Sequence, residues 1–205
     1  GVNVDFSNGD ISMFQAEGQG VKLLLVNDGV NDTSSLKATG RTKSGNWWDW
    51  GCGMAIDLAK YVKPGKTYSV KCYLKCEKDA TFTVRSKVNN GRFPNQVGPT
   101  LDVKAGTWTE YEGIFASPDT INGSIILYWD ASVASDIYLD SLVIKETKVL
   151  DSTFKDKFSG IFGNVGTCNT YTQMRDNKLF TTTQYNSVTM ENETKTQQLL
   201  NKEKI

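Results

Sequence analysis

A chain of 205 residues that is 39% hydrophobic and 11% aromatic can bury one sizeable core, with length left for part of a second domain. Its 23 basic and 23 acidic residues give no net field to draw in a polyanion such as nucleic acid, and no apolar run approaches the roughly 18 residues of a membrane helix. Histidine is absent, which removes the commonest general base, the usual zinc ligand and every Ser-His or Cys-His nucleophilic pair, so a neutral partner is expected.

The chain opens without the basic start and apolar stretch of a leader, as it would after a leader is removed. Its first predicted strands are residues 21–26 and 35–39. They lead into Gly40-Arg-Thr-Lys-Ser-Gly-Asn-Trp-Trp-Asp-Trp-Gly51, the most chemically suggestive stretch. Three tryptophans in four residues can be core. If the backbone is extended, Trp48 and Trp50 share one face and Trp47 takes the other, so that one face packs inward while the other offers rings to a ligand. A pyranose presents an apolar C–H face and a rim of hydroxyls. Its site needs an aromatic platform flanked by side chains that donate and accept hydrogen bonds. Arg41 and Asp49 supply that chemistry here.

Residues 53–58 form the next predicted strand, followed by a Lys63-Pro-Gly65 turn. Tyr68-Ser-Val-Lys-Cys-Tyr-Leu-Lys-Cys76 then alternates, with Tyr68, Val70, Cys72, Leu74 and Cys76 on one face and Ser69, Lys71, Tyr73 and Lys75 opposite. Cys72 and Cys76 lie roughly 13 Å apart on such a strand and cannot bond to each other; buried free thiols are expected. Further strands are predicted at 81–88, 107–115, 124–130 and 137–144. Tyr128 and Asp130, two apart, share one face of theirs, with Leu127 and Trp129 on the other and buried. Eight or so short strands with frequent turns make a β-sandwich or jelly roll the expected fold for residues 1–148.

From residue 149 the texture changes. A Gly-rich apolar run, Phe158-Ser-Gly-Ile-Phe-Gly-Asn-Val165, precedes a helix-compatible stretch at 170–184, a short apolar run at 186–190 and a charged helix-like end. That is the βαβα rhythm at the start of an α/β barrel, far too short to close one.

Several motifs together carry a family resemblance. Ser35-Leu-Lys-Ala-Thr-Gly-Arg-Thr42 with the tryptophans after it, Val62-Lys-Pro-Gly-Lys-Thr-Tyr68, Trp108-Thr-Glu-Tyr-Glu-Gly-Ile-Phe115 and Ile137-Tyr-Leu-Asp-Ser-Leu-Val-Ile144 resemble the family 22 carbohydrate-binding modules. The related families 4 and 9 share much of this framework. The resemblance implies a jelly roll whose concave face binds xylan and sometimes mixed-linkage β-glucan. It places a sugar platform at Trp48 or Trp50 and hydrogen bonds to the sugar at Tyr128 and Asp130. The chain departs from the family where an Arg before the Ser-Leu strand is replaced around Asn27–Asp28, and where the strand Glu is Asp130. A structural calcium is implied too, at Asp140 with Asp5 as its amino-terminal partner, although Ser7 stands where an acidic residue is common.

Residues 149–205 resemble the opening of a family 10 glycoside hydrolase, a TIM-barrel xylanase, in Phe154-Lys-Asp-Lys-Phe-Ser-Gly-Ile-Phe-Gly-Asn-Val165 and Tyr185-Asn-Ser-Val-Thr-Met-Glu-Asn-Glu-Thr-Lys195. The resemblance puts Glu191, Asn192 and Lys195 at a xylose subsite. Retaining glycoside hydrolysis needs two carboxyl groups about 5–5.5 Å apart, which in this family come from later strands, so the fragment is expected to be inactive. The resulting expectation is a monomeric, non-catalytic xylan-binding module that targets a secreted bacterial endo-1,4-β-xylanase to the plant cell wall. It is expected to bind neither nucleic acid nor membrane. A lectin-like or adhesion sandwich that has lost xylan binding is the alternative.

Overall fold

A computed structural model describes residues 1–44, 53–91, 94–148, 166–169, 181, 185 and 187–190. Twelve strands build two antiparallel sheets. The first sheet contains β1 (Val2–Val4), β3 (Lys22–Val26), β4 (Ser35–Thr39), β6 (Thr67–Cys76), β10 (Thr109–Ala116) and β12 (Ile137–Thr147). Its order is β10-β6-β12-β4-β3, with β1 also on β12. The second contains β2 (Phe14–Glu17), β5 (Gly53–Asp57), β7 (Ala80–Val88), β8 (Asn95–Gln96), β9 (Leu101–Val103) and β11 (Ile125–Ala131). Its order is β2-β5-β11-β7-β8, with β9 also on β7.

The alternation written into the strands decides which side faces in. On β6 the predicted inward set, Tyr68, Val70, Cys72, Leu74 and Cys76, is buried. On β11 the inward set is Ile125, Leu127, Trp129 and Ala131, and it shares one core with Val70, Leu74, Leu139 and Leu36 of the facing sheet. In this sandwich, apolar area removed from water between the sheets supplies the main driving force, about 25 cal/mol per Å². Cys72 and Cys76 are buried free thiols, and burial pushes the Cys72 thiol up to about 12, which leaves it unreactive at neutral pH.

Four strands escape the sequence pattern: β1, β2, β8 and β9 are two to four residues long, too short for alternation to register. Beyond residue 148, β13 (Gly166–Asn169) and β14 (Ser187–Met190) pair in parallel. The run 154–165, expected as the first barrel strand, lies outside the described residues, as do Glu191, Asn192 and Lys195.

Candidate functional site

The side of the second sheet turned away from the core gathers the polar groups that a ligand could meet. The two-residue period puts Ile126, Tyr128 and Asp130 of β11 on this side, and Ile126, Tyr128 and Ala55 form an apolar cluster separate from the core. Strand register then fixes the neighbours. Tyr128 lies opposite Ala55 of β5 and Arg85 of β7; Ala55 lies opposite Gln15 of β2, and Arg85 opposite Gln96 of β8. Gln15, Ala55, Tyr128, Arg85 and Gln96 thus form one row across five strands, roughly 19 Å long at about 4.8 Å per strand. One step along, Glu17 lies opposite Gly53, and Asp130 opposite Thr83.

Gly53 is required by the close approach of β11. A Cβ there would collide with the Trp129 carbonyl oxygen and stand 3.2 Å from Asp130 Oδ1. No side chain can therefore stand between Glu17 and Asp130.

Charge on this face is partly matched. Arg85 Nη1 donates to Asp130 Oδ2 at 3.3 Å, with Asp130 only 1% and Arg85 9% exposed. Burial holds the Arg85 guanidinium below its ordinary range and the Asp130 charge opposes that shift, so the pair sustains itself in a poorly hydrated place. Burial, with Glu17 and Asp130 adding to it, pushes the Tyr128 phenol up to about 12 and keeps it a proton donor at neutral pH. Glu17 is raised above the usual carboxylate range, first by burial and further by Asp130, against Lys87 and the Gln15 amide. Donors and acceptors around an apolar floor suit a ligand rich in hydroxyls.

Tyr128 and Asp130 therefore stand where the sequence puts them, on one face of one strand. Trp48, Trp50 and Asp49 lie outside the described residues, although residues 45–52 are covalently joined to Gly53 in the Glu17–Asp130 row. Arg41 is engaged with backbone next to Asp130. Its guanidinium donates to the carbonyls of Val133 at 2.8 Å, Ser135 at 2.7 Å and Ala131 at 3.2 Å, clasping the turn that follows β11. Those bonds need a planar, forked donor that lysine cannot reproduce. Arg41→Ala is expected to cost about 2–3 kcal/mol through lost charge-assisted bonds, lowering the melting temperature by about 6–9 °C, with Arg41→Lys only partly restoring it. An unchanged melt for Arg41→Ala would remove this clasp from the account.

The residues expected to share a metal each have other partners. Asp5 Oδ1 accepts from the Ser7 backbone N–H at 3.0 Å and the Ser7 hydroxyl at 2.8 Å. Asp140 is fully buried. Its Oδ2 accepts from Val30 N at 2.8 Å and Thr33 Oγ1 at 3.2 Å, and its Oδ1 from Ser141 N at 2.6 Å and Ser141 Oγ at 3.4 Å. The Val30 and Ser141 backbone N–H groups occupy one lone pair on each Asp140 oxygen, the Thr33 hydroxyl proton is shared with the nearer Val30 carbonyl, and no group of three or more Asp, Glu, Cys or His gathers among the described residues. This donor set does not fit a calcium shared by Asp5 and Asp140.

Arg85, Glu17, Gln15 and Gln96 were not picked out in the sequence as site residues. Arg85 falls on the outward parity of a strand that was predicted, which is a usable signal. The others lie on β2 and β8, which carry none.

A family model described as a carbohydrate binding domain matches residues 1–129. Among solved structures, the CBM22-1 xylan-binding domain of Paenibacillus barcinonensis Xyn10C is 24% identical, covering 72% of this chain and 94% of its own, with a TM-score of 0.57. The CBM22-1-GH10 modules of Clostridium thermocellum Xyn10B, solved with xylohexaose, are 22% identical over 96% of this chain at a TM-score of 0.62, and this chain covers 38% of them. A xylan-binding domain of CBM 22, 16% identical, matches 72% of this chain and 96% of its own at 0.59. These likenesses establish the sandwich fold. No curated protein sequence matches the chain.

Proposed function

This chain belongs to the carbohydrate binding domain family through residues 1–129, and from that premise we propose that its outward face is a cleft for xylan. A module of this family is non-catalytic. The observation that carries the finer reading is the row Gln15–Ala55–Tyr128–Arg85–Gln96 beside Asp130, a polar strip crossing five strands with a small, apolar middle. A strip of that length suits a chain rather than a single sugar. Ala55 leaves room for a backbone to lie flat, and xylose, which lacks an exocyclic hydroxymethyl group, lies closer than a hexose can.

Trp48 or Trp50 is the proposed stacking platform, on the strength of the family resemblance of the segment that carries them. Stacking and desolvation supply the larger part of the affinity, and each neutral hydrogen bond only about 0.5–1.5 kcal/mol. That these structural neighbours are xylan-binding domains supports the ligand class. The 96% coverage by a two-module CBM22-1-GH10 structure supports a family 10 xylanase as the parent enzyme. A secreted bacterial parent, with a monomeric module that delivers it to plant cell wall, is the remainder of the proposal.

Electrophoresis in a native gel tests this. Soluble xylan cast into the gel is expected to retard the protein, mixed-linkage β-glucan to retard it less, and a gel without polysaccharide not at all. Equal mobility in all three gels would contradict the reading and favour a lectin-like or adhesion sandwich.

A further inference from the structure

Resting on that cleft, we propose that Glu17 is a specificity-determining residue that turns the site away from uronate-bearing chains, so that its ligand class is neutral xylan. Glu17 ends β2 and pairs with Gly53, beyond which lies Asp130. With no side chain at Gly53, Glu17 and Asp130 lie near enough for the one charge to act on the other. They are not equally matched. Asp130 has the Arg85 guanidinium at 3.3 Å, whereas the hydrogen bond to Glu17 Oε1 comes from the neutral Gln15 amide at 3.1 Å. Lys87 acts on Glu17 as an opposing charge, and Asp57 lies two residues from Ala55 on the same side of β5. Among the described residues the β2 side of the face is therefore acidic.

The half-buried position of Glu17 matters because screening by salt is weaker there than at an open surface. The raised carboxyl of Glu17 shows that this charge is already disfavoured by burial and by Asp130. Another anion on the face adds to that cost, while a neutral xylose or arabinose adds nothing. Repulsive elements of this kind set specificity by penalising the wrong partner rather than by tightening the right one. Natural xylans offer that choice, since their branches are either neutral or acidic.

The test compares xylohexaose with a xylo-oligosaccharide of the same backbone length bearing one glucuronic acid branch, both titrated into the full chain. At low salt the neutral ligand is expected to bind about three- to tenfold tighter. Glu17→Gln should shrink the ratio of the two affinities towards one, and Glu17→Lys should invert it. Raising the salt to about 0.5 M should shrink the wild-type ratio as well, and this arm needs no substitution. A ratio that survives both Glu17→Gln and high salt marks exclusion by shape and overturns the inference. Equal wild-type affinities for the two ligands overturn it too, while leaving the xylan cleft standing. Absence of xylohexaose binding by folded wild-type protein overturns the cleft itself.

Discussion

Replacing Asp130 by alanine is expected to destabilise the sandwich by about 3–5 kcal/mol, the cost of breaking a buried ion pair by removing one partner. Asp130 is 1% exposed and Arg85 9%, and the two are joined at 3.3 Å, so truncation takes a carboxylate from beside a buried guanidinium, where water does not readily replace it. With a denaturant slope of about 2 kcal/mol per molar urea, the unfolding midpoint should fall by about 1.5–2.5 M. Asp130→Asn keeps the shape and an acceptor oxygen and should lose less. The double variant Asp130→Ala with Arg85→Met removes both charges and should recover much of the loss. Full stability in Asp130→Ala would show that this ion pair does not hold the face together. Affinity in Asp130→Ala must therefore be read on the folded fraction alone.

Asp140→Ala should cost a similar amount, about 3–5 kcal/mol, for a different reason. Its partners here are backbone N–H groups of Val30 and Ser141 and the Ser141 hydroxyl, and a donor left in the interior without an acceptor costs about 1–3 kcal/mol each. The local fold is built to aim it. A bulge shifts the β12 register between Asp140 and Val143, and Ser141 takes a left-handed φ of 53°. Gly29 brings the β3–β4 connection so close that a Cβ would stand 2.8 Å from Asp140 Oδ2. Since a backbone N–H already holds each of its oxygens, the melting temperature should be the same with and without excess EDTA. A drop of several degrees on chelation would place a calcium at Asp140 instead, as the family resemblance implies.

How much of this could be read in advance follows from length and pattern. The 67–76 and 125–131 strands are long enough for a two-residue period to identify their buried sides, so the core and the shared face of Tyr128 and Asp130 were legible. Arg41 was legible only as a charged residue near tryptophans; the three carbonyls it holds belong to residues 131, 133 and 135, some ninety positions away. Glu17 and Gln15 were hidden because β2 is four residues with a single inward anchor, Phe14. Asp130 looked like a ligand group, but its neighbour Arg85 appears only once β7 is registered against β11. Pairing across strands carries that information, and sequence spacing does not.

Calorimetric titration of xylohexaose into the full chain, alongside Tyr128→Ala and Asp130→Asn, tests the central claim most directly. The account predicts one saturable site on the wild-type protein, with affinity reduced about tenfold or more in Tyr128→Ala and severalfold in Asp130→Asn while both variants stay folded. Undiminished affinity in both folded variants, or no binding by the wild-type chain, would contradict it.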